Sequence, residues 1–159
     1  MLKELESISN KLDESHGVLY RTIGALTEEQ AAAIANPQWN VKDVLAHLAG
    51  AERGMLRIAQ ASARGEDPQL PDGYNNDVFN ARQVAKRKGQ SLAQVLEEIK
   101  GVHNEMAALL NSITAEQLTR MGEHPLEGEI ALKDLLVVIY SHEVTHCNEI
   151  SSALRAARK

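Results

Sequence analysis

The chain has 159 residues, 43% of them hydrophobic and 25% charged, with a formal net charge of −5. Its aromatic residues are Tyr20, Trp39, Tyr74, Phe79 and Tyr140, against 21 alanines, and no basic stripe runs through it. This excludes an aromatic platform for single-stranded nucleic acid and a phosphate-backbone partner, and it favours helices over sheet. Cys147 is the one cysteine, so no internal disulfide exists. No apolar run reaches membrane-spanning length and the N-terminus lacks the form of a signal peptide. The expectation is a soluble cytoplasmic protein with no nucleic-acid or membrane partner, built as a single helical domain over 1–159.

Pro37, Pro68, Pro71 and Pro125 fall between periodic segments, where helices tolerate them. Leu5, Ile8, Leu12, Leu19 and Ile23 recur near the helical period and predict a first helix from Leu2 to about residue 25. Thr27-Glu-Glu-Gln30 reads as a capping box opening a short helix through Ile34. Asn40, with Asp43 as its box partner, starts a second helix whose stripe is Val44, Leu45, Leu48, Met55 and Ile58. A loop with two prolines and two glycines follows, then a polar helix over 75–88. Its Lys86-Arg87-Lys88 end is read as solvated.

Ser91 caps a third long helix carrying Leu92, Val95, Ile99, Val102, Met106 and Leu110, and Thr114 opens a second short capping box. The last helix is predicted over 132–157 with the stripe Leu135, Leu136, Ile139, His142, His146, Ile150 and Leu154. Four amphipathic helices and one long connection predict an all-α four-helix bundle with short extra helices in its connections. No strand-like alternation competes.

His142 and His146 lie four residues apart, about 40° apart on one helical face, and that face is the apolar one. Two buried imidazoles need partners, and a metal ion satisfies both at once. His47, beside Leu48 on the core side of the second helix, is the natural third ligand. Three neutral imidazoles leave coordination positions open, as catalytic sites do. His103 is a candidate fourth or outer ligand, while His16 and His124 are read as ordinary histidines. Zinc is the first choice, with nickel, iron or manganese as alternatives.

The string His142-Glu143-Val144-Thr145-His146 matches the zincin pattern His-Glu-x-x-His, which makes Glu143 a weak candidate as ligand-orienting group or proton acceptor. A protease reading fails further along. Glu149 and Ser152 stand where a metzincin needs Gly and His, only 13 residues follow His146, and no strand is predicted to hold a peptide. Cys147 points roughly 100° away from His146 and is read as a packed residue.

Trp39-Asn-Val-Lys-Asp-Val-Leu-Ala-His47-Leu, the segment Asp77-Val-Phe-Asn-Ala-Arg-Gln-Val-Ala and the stretch from Leu132 to Ile150 together resemble the DinB-like superfamily, which includes the metal-binding domain of mycothiol-dependent maleylpyruvate isomerases. The resemblance covers nearly the whole chain. It implies an up-down-down-up four-helix bundle, a divalent metal on His47, His142 and His146, and often a homodimer. The activity it implies is thiol transfer or detoxification, in which a metal-activated low-molecular-weight thiol, or water, attacks a small-molecule electrophile. The alternative is a non-catalytic metal- or small-molecule-binding stress-response module. The loop over 65–74 and Phe79-Asn80 are expected to wall the substrate pocket.

Overall fold

The computed structural model describes residues 3–159. The predicted helix start at Leu2 lies outside them. In chain order the elements are α1 (Lys3–Ile23), α2 (Glu28–Ala31), α3 (Val41–Arg64), α4 (Asn76–Lys86), α5 (Leu92–Ser112), α6 (Ala115–Leu118), β1 (Met121–His124), β2 (Gly128–Ala131) and α7 (Leu132–Ala157). Thr27, Asn40, Ser91 and Thr114 each close a full capping box, so these helix starts are set by local hydrogen bonds.

The long helices α1, α3, α5 and α7 form the bundle, with α3 packed against both α5 and α7 and α1 against the same two. Their directions follow from pairs of contacts. Glu4 pairs with Lys133 and Ser15 with Glu143, so α1 and α7 run parallel. Lys88, before α5, meets Asp43 at the start of α3, while Gln117, beyond α5, bonds Ala63 at the end of α3, so these two also run parallel. Arg120 bonds the Ala63 carbonyl and its own carbonyl accepts from Leu132, which places the end of α3 beside the start of α7. The course is up-down-down-up, made possible by the long connection carrying α4.

Two apolar clusters fill the bundle. One is built around Leu12, Leu56, Met106, Leu135 and Leu136, the other around Leu19, Val44, Leu45, Leu48, Ile99 and Ile150. Between them, at mid-height, sits a buried polar layer of Ser15, Glu52, His103 and Glu143, flanked by the half-buried His16.

The hairpin was not expected. Its residues Met121-Gly-Glu-His124 and Gly128-Glu-Ile-Ala131 are poor in β-branched side chains, so the pairing of Met121 with Ala131 and of His124 with Gly128 is imposed from outside the strands. His124 Nδ1 accepts from the backbone N–H of Leu126 and of Glu127, closing the turn, and Gly128 takes φ +72°. The hairpin also serves α7: Ala131 offers no side-chain cap, and the Leu132 N–H is taken up by the Arg120 carbonyl.

In the basic run before Gly89, Lys86 and Lys88 are exposed as expected, but Arg87 is not. Arg87 is 3% exposed, donates to both oxygens of Glu98 and bonds the Gln83 carbonyl. This bidentate pair pins α4 to α5. Helix α4 in turn lies directly on α3, where a Cβ at Gly50 would stand 2.6 Å from the Gln83 Cβ.

Candidate metal centre

Helix α3 presents His47 from its second turn, and α7 presents His142 and His146 one turn apart. Nε2 of His47 and Nε2 of His142 are 3.0 Å apart, and one ring nitrogen from each of the three residues lies within 4.8 Å of the others. The rings meet edge to face, with centroids 4.6–5.0 Å apart. The Trp39 ring backs His47 at 5.0 Å. Burial pushes the His47 ring down to about 4, helped by the neighbouring His146. Burial likewise pushes His142 down to about 3, with His146 and His47 adding to the effect. Both rings are therefore neutral near pH 7 and keep a lone pair available.

The residues fit a divalent transition metal. Nδ1 of His47 and Nδ1 of His142 are buried without a hydrogen-bond partner, so hydrogen bonding within the protein does not satisfy these two rings. His146 has a fixed orientation: its Nδ1 lies 2.7 Å from Glu149 Oε2, and Glu149 Oε1 accepts from the Asn36 amide at 2.6 Å. A carboxylate holding the far nitrogen of an imidazole leaves Nε2 as the ligand atom, as outer partners do at metal sites. Glu149 was read from sequence only as a departure from the metzincin pattern. The signal that could have found it is its position three residues after His146 on one helical face.

The three rings open onto a cavity of about 600 Å³. Its walls come from Trp39, Met55, Ile58, Leu70, Tyr74, Phe79 and Val138, with Arg57, Asn76 and Asn80 also on its lining. The expected contribution of the connection after α3 is thus present. His124 and the turn residues Pro125, Leu126 and Glu127 close one side. His124, read as an ordinary histidine, is held neutral by burial, and its Nδ1 is occupied by two backbone donors, which places its proton on Nε2. It is a hydrogen-bond donor in the cavity wall.

Two candidates do not join this site. Glu143 is 1% exposed and turns its carboxylate the other way, to the Ser15 hydroxyl and to His103 Nε2 at 2.9 Å. It is neither a salt-bridged surface residue nor a base beside the three histidines: one residue along α7 from His142 is a rotation of about 100°, enough to face α1 and α5 instead of the cavity. His103 is not a fourth ligand to the triad. Its Nε2 lies 2.8 Å from Glu52 Oε2 and its Nδ1 lies 2.6 Å from the Tyr20 hydroxyl. Burial alone would lower His103, but Glu143 and Glu52 overcome it and hold the ring up at about 9. His16, pushed down to about 4 by burial, stacks on His103 at 3.4 Å. Cys147 is buried and its thiol is pushed up to about 12 by burial, with Glu143 and Glu52 adding to the rise, so it is a packed residue as expected.

The DinB superfamily model matches residues 11–150. The chain belongs to the DinB superfamily. An Oceanobacillus iheyensis relative named "putative metal-dependent hydrolase" is 22% identical over 96% of this chain and 83% of its own length. Among solved structures, YfiT from Bacillus subtilis, described as a probable metal-dependent hydrolase with an unusual four-helix bundle topology, superposes with a TM-score of 0.81 at 22% identity, covering 99% of this chain and 90% of YfiT. A mycothiol-dependent maleylpyruvate isomerase superposes with a TM-score of 0.80 at 9% identity, over 94% of this chain and 63% of that one. At these identities the superpositions establish the fold alone, a four-helix bundle. Among the described residues no helix is long and apolar enough to cross a membrane.

Proposed function

We propose that this DinB protein is a divalent-metal-dependent enzyme that joins a low-molecular-weight thiol to a small, largely apolar electrophile. The observation that carries the reading is the convergence of His47, His142 and His146 at the floor of an apolar cavity. Three imidazoles would hold the ion and leave further coordination positions facing the cavity. When bound there, a divalent cation supplies Lewis acidity and lowers the pKa of a coordinated thiol or water.

The chain's own residues supply the rest. Glu149 and Asn36 orient His146. Trp39, Met55, Ile58, Tyr74 and Phe79 exclude water around the reacting atoms. The His124 Nε2–H donates to an oxygen of the electrophile, and Arg57 and Asn80 stand at the lining for its polar end. Among the described residues lining the cavity, Glu127 is the one carboxylate, and it lies on the exposed hairpin turn. The pKa of a free thiol starts at about 8.5 and that of water at about 15.7, so the same ion would ionise a coordinated thiol more completely at neutral pH, with its proton passing to solvent. This favours thiol over water.

Water activation, giving a hydrolase, is the second reading. It is supported by the name of the O. iheyensis relative, which aligns along nearly the whole chain. The test is a matched pair of assays on stripped and zinc- or nickel-loaded protein. One arm presents aryl and alkyl electrophiles with glutathione, bacillithiol or mycothiol; the other presents activated esters and amides alone. Metal-dependent thiol consumption that disappears in His142→Ala supports the proposal. Turnover in the ester arm alone transfers the assignment to hydrolysis. No turnover in either arm with loaded protein rejects catalysis and leaves a binding module.

A further inference from the structure

The polar layer between the two apolar clusters has an arrangement that the triad does not use. It takes one side chain from each long helix at the same height: His16 from α1, Glu52 from α3, His103 from α5 and Glu143 from α7. Glu52 and Glu143 are each 1% exposed and His103 is 6% exposed, while the His16 side chain is 14% exposed. One ligand atom each from His16, His103 and Glu143 fall within 4.8 Å of one another. The individual separations are close to those between ligands on a single ion. His103 Nε2 is 2.9 Å from Glu143 Oε2 and 2.8 Å from Glu52 Oε2, and His16 Nε2 is 3.6 Å from Glu143 Oε2.

A single Nε2–H of His103 faces two carboxylate oxygens and can serve one of them well. Glu143 Oε2 and Glu52 Oε1 are both buried without a hydrogen-bond partner. Buried carboxylate oxygens are ordinarily satisfied by a donor or by a metal. The surrounding groups orient three of these side chains from behind. The Tyr20 hydroxyl holds His103 Nδ1 at 2.6 Å, the Ser15 hydroxyl donates to Glu143 Oε1, and the parallel stacking of His16 on His103 keeps both Nε2 atoms beside Glu143. Outer partners of this kind are what metal ligands require.

We infer that this layer is a second divalent-cation site, separate from the triad, in which His16, His103 and Glu143 hold one transition-metal ion at the centre of the bundle and Glu52 stands beside His103 as an outer partner. Two imidazoles and a carboxylate suit zinc, manganese or ferrous iron, and the ion would take the place of the proton that Glu143 and Glu52 otherwise hold on His103. Carboxylate and histidine ligands projecting inward from facing helices are a recurrent way for a helical bundle to hold such ions. His16 is the most exposed of the four and marks the side from which an ion enters. Helices α3 and α7 each serve both sites, since His47 and Glu52 share α3 while His142, Glu143 and His146 share α7.

The experiment counts zinc. Tag-free protein is unfolded in chelator, refolded in excess zinc, passed through a desalting column and analysed for metal per chain. Wild type should retain two equivalents. The His47→Ala/His146→Ala variant, which loses the triad, should retain one. Adding His16→Ala and His103→Gln to that background should bring the count to zero with helical circular dichroism retained, and His16→Ala alone in the wild-type background should weaken one equivalent. Loading the triad-deleted variant with Co2+ should give visible d–d absorption that vanishes with His16→Ala/His103→Gln. A wild-type count of zero, or of one that His16→Ala/His103→Gln leaves unchanged, overturns the inference. So does a second equivalent that survives the His16 and His103 changes, since it then resides elsewhere.

Discussion

Glu149 Oε2 lies 2.7 Å from His146 Nδ1, and its other oxygen accepts from Asn36, whose own side-chain oxygen accepts from the backbone N–H of Gln38 and Trp39. A short loop ahead of α3 is thereby tied to the ligand face of α7. Removing the carboxylate leaves His146 free to rotate. Glu149→Ala should weaken zinc binding at the triad about 10–100-fold while leaving the bundle folded. Competition with a zinc-binding dye measures this, and Glu149→Gln should fall between the two because it keeps one acceptor.

Metal removal should soften the protein without unfolding it. The apolar clusters around Leu12, Leu56 and Leu136, and around Leu45, Leu48 and Ile99, are closed by side chains rather than by an ion. Chelation should leave far-ultraviolet circular dichroism nearly unchanged. The stabilisation lost should follow mass action, about 2.7 kcal/mol when free metal stands at a hundred times its dissociation constant. Thermal melts across a series of buffered zinc concentrations check this. Loss of helix on chelation, as in a zinc finger, would contradict it.

Helix α4 carries cavity-lining residues and depends on the absence of a side chain at Gly50. A Cβ there would stand 2.6 Å from the Gln83 Cβ, part of the packed stem of that side chain. Gly50→Ala should destabilise the protein by about 1–3 kcal/mol through overpacking, more than offsetting the usual helix-propensity gain of alanine. Gln83→Gly should relieve the clash, so the double variant should be less destabilised than the sum of the single changes. Denaturant melts of the four proteins form the cycle that reads it.

Cys147 gives a pH signature. Its thiol is pushed up to about 12 in the fold from 9.0, chiefly by burial. Between these values the unfolded chain releases a proton that the folded chain keeps. The thiol's contribution to stability is therefore fully present below about pH 9 and is lost as the pH rises toward 12. Near pH 9, iodoacetamide should label unfolded protein readily and folded protein slowly. Fast labelling of the folded chain would show that the thiol is exposed.

Most of the fold was legible in the sequence because its determinants are local. The boxes at Thr27, Asn40, Ser91 and Thr114 are complete within four residues, and the i, i+4 spacing of His142 and His146 puts them on one face wherever the helix packs. What escaped depends on distant partners. The burial of Glu143 and of Glu52 escaped, because it follows from α7 and α3 each packing against two neighbours. A wide buried arc extends beyond the apolar stripe that periodicity detects. Arg87 looked solvated because Glu98 lies on the next long helix. The hairpin has one β-branched residue, Ile130, and is held by its turn, by α7 and by the close approach of Gly122 to Ser62.

The central claim is that one ion is held by three imidazoles at the floor of the cavity. X-ray absorption of zinc bound at one equivalent to the His16→Ala/His103→Gln variant, in which the triad is intact, tests it most directly. The account predicts a first shell dominated by three imidazole nitrogens at roughly 2.0–2.1 Å, completed by oxygen or nitrogen from solvent. Failure to bind zinc, a shell containing sulfur at about 2.3 Å, or the same spectrum after His47→Ala would contradict it.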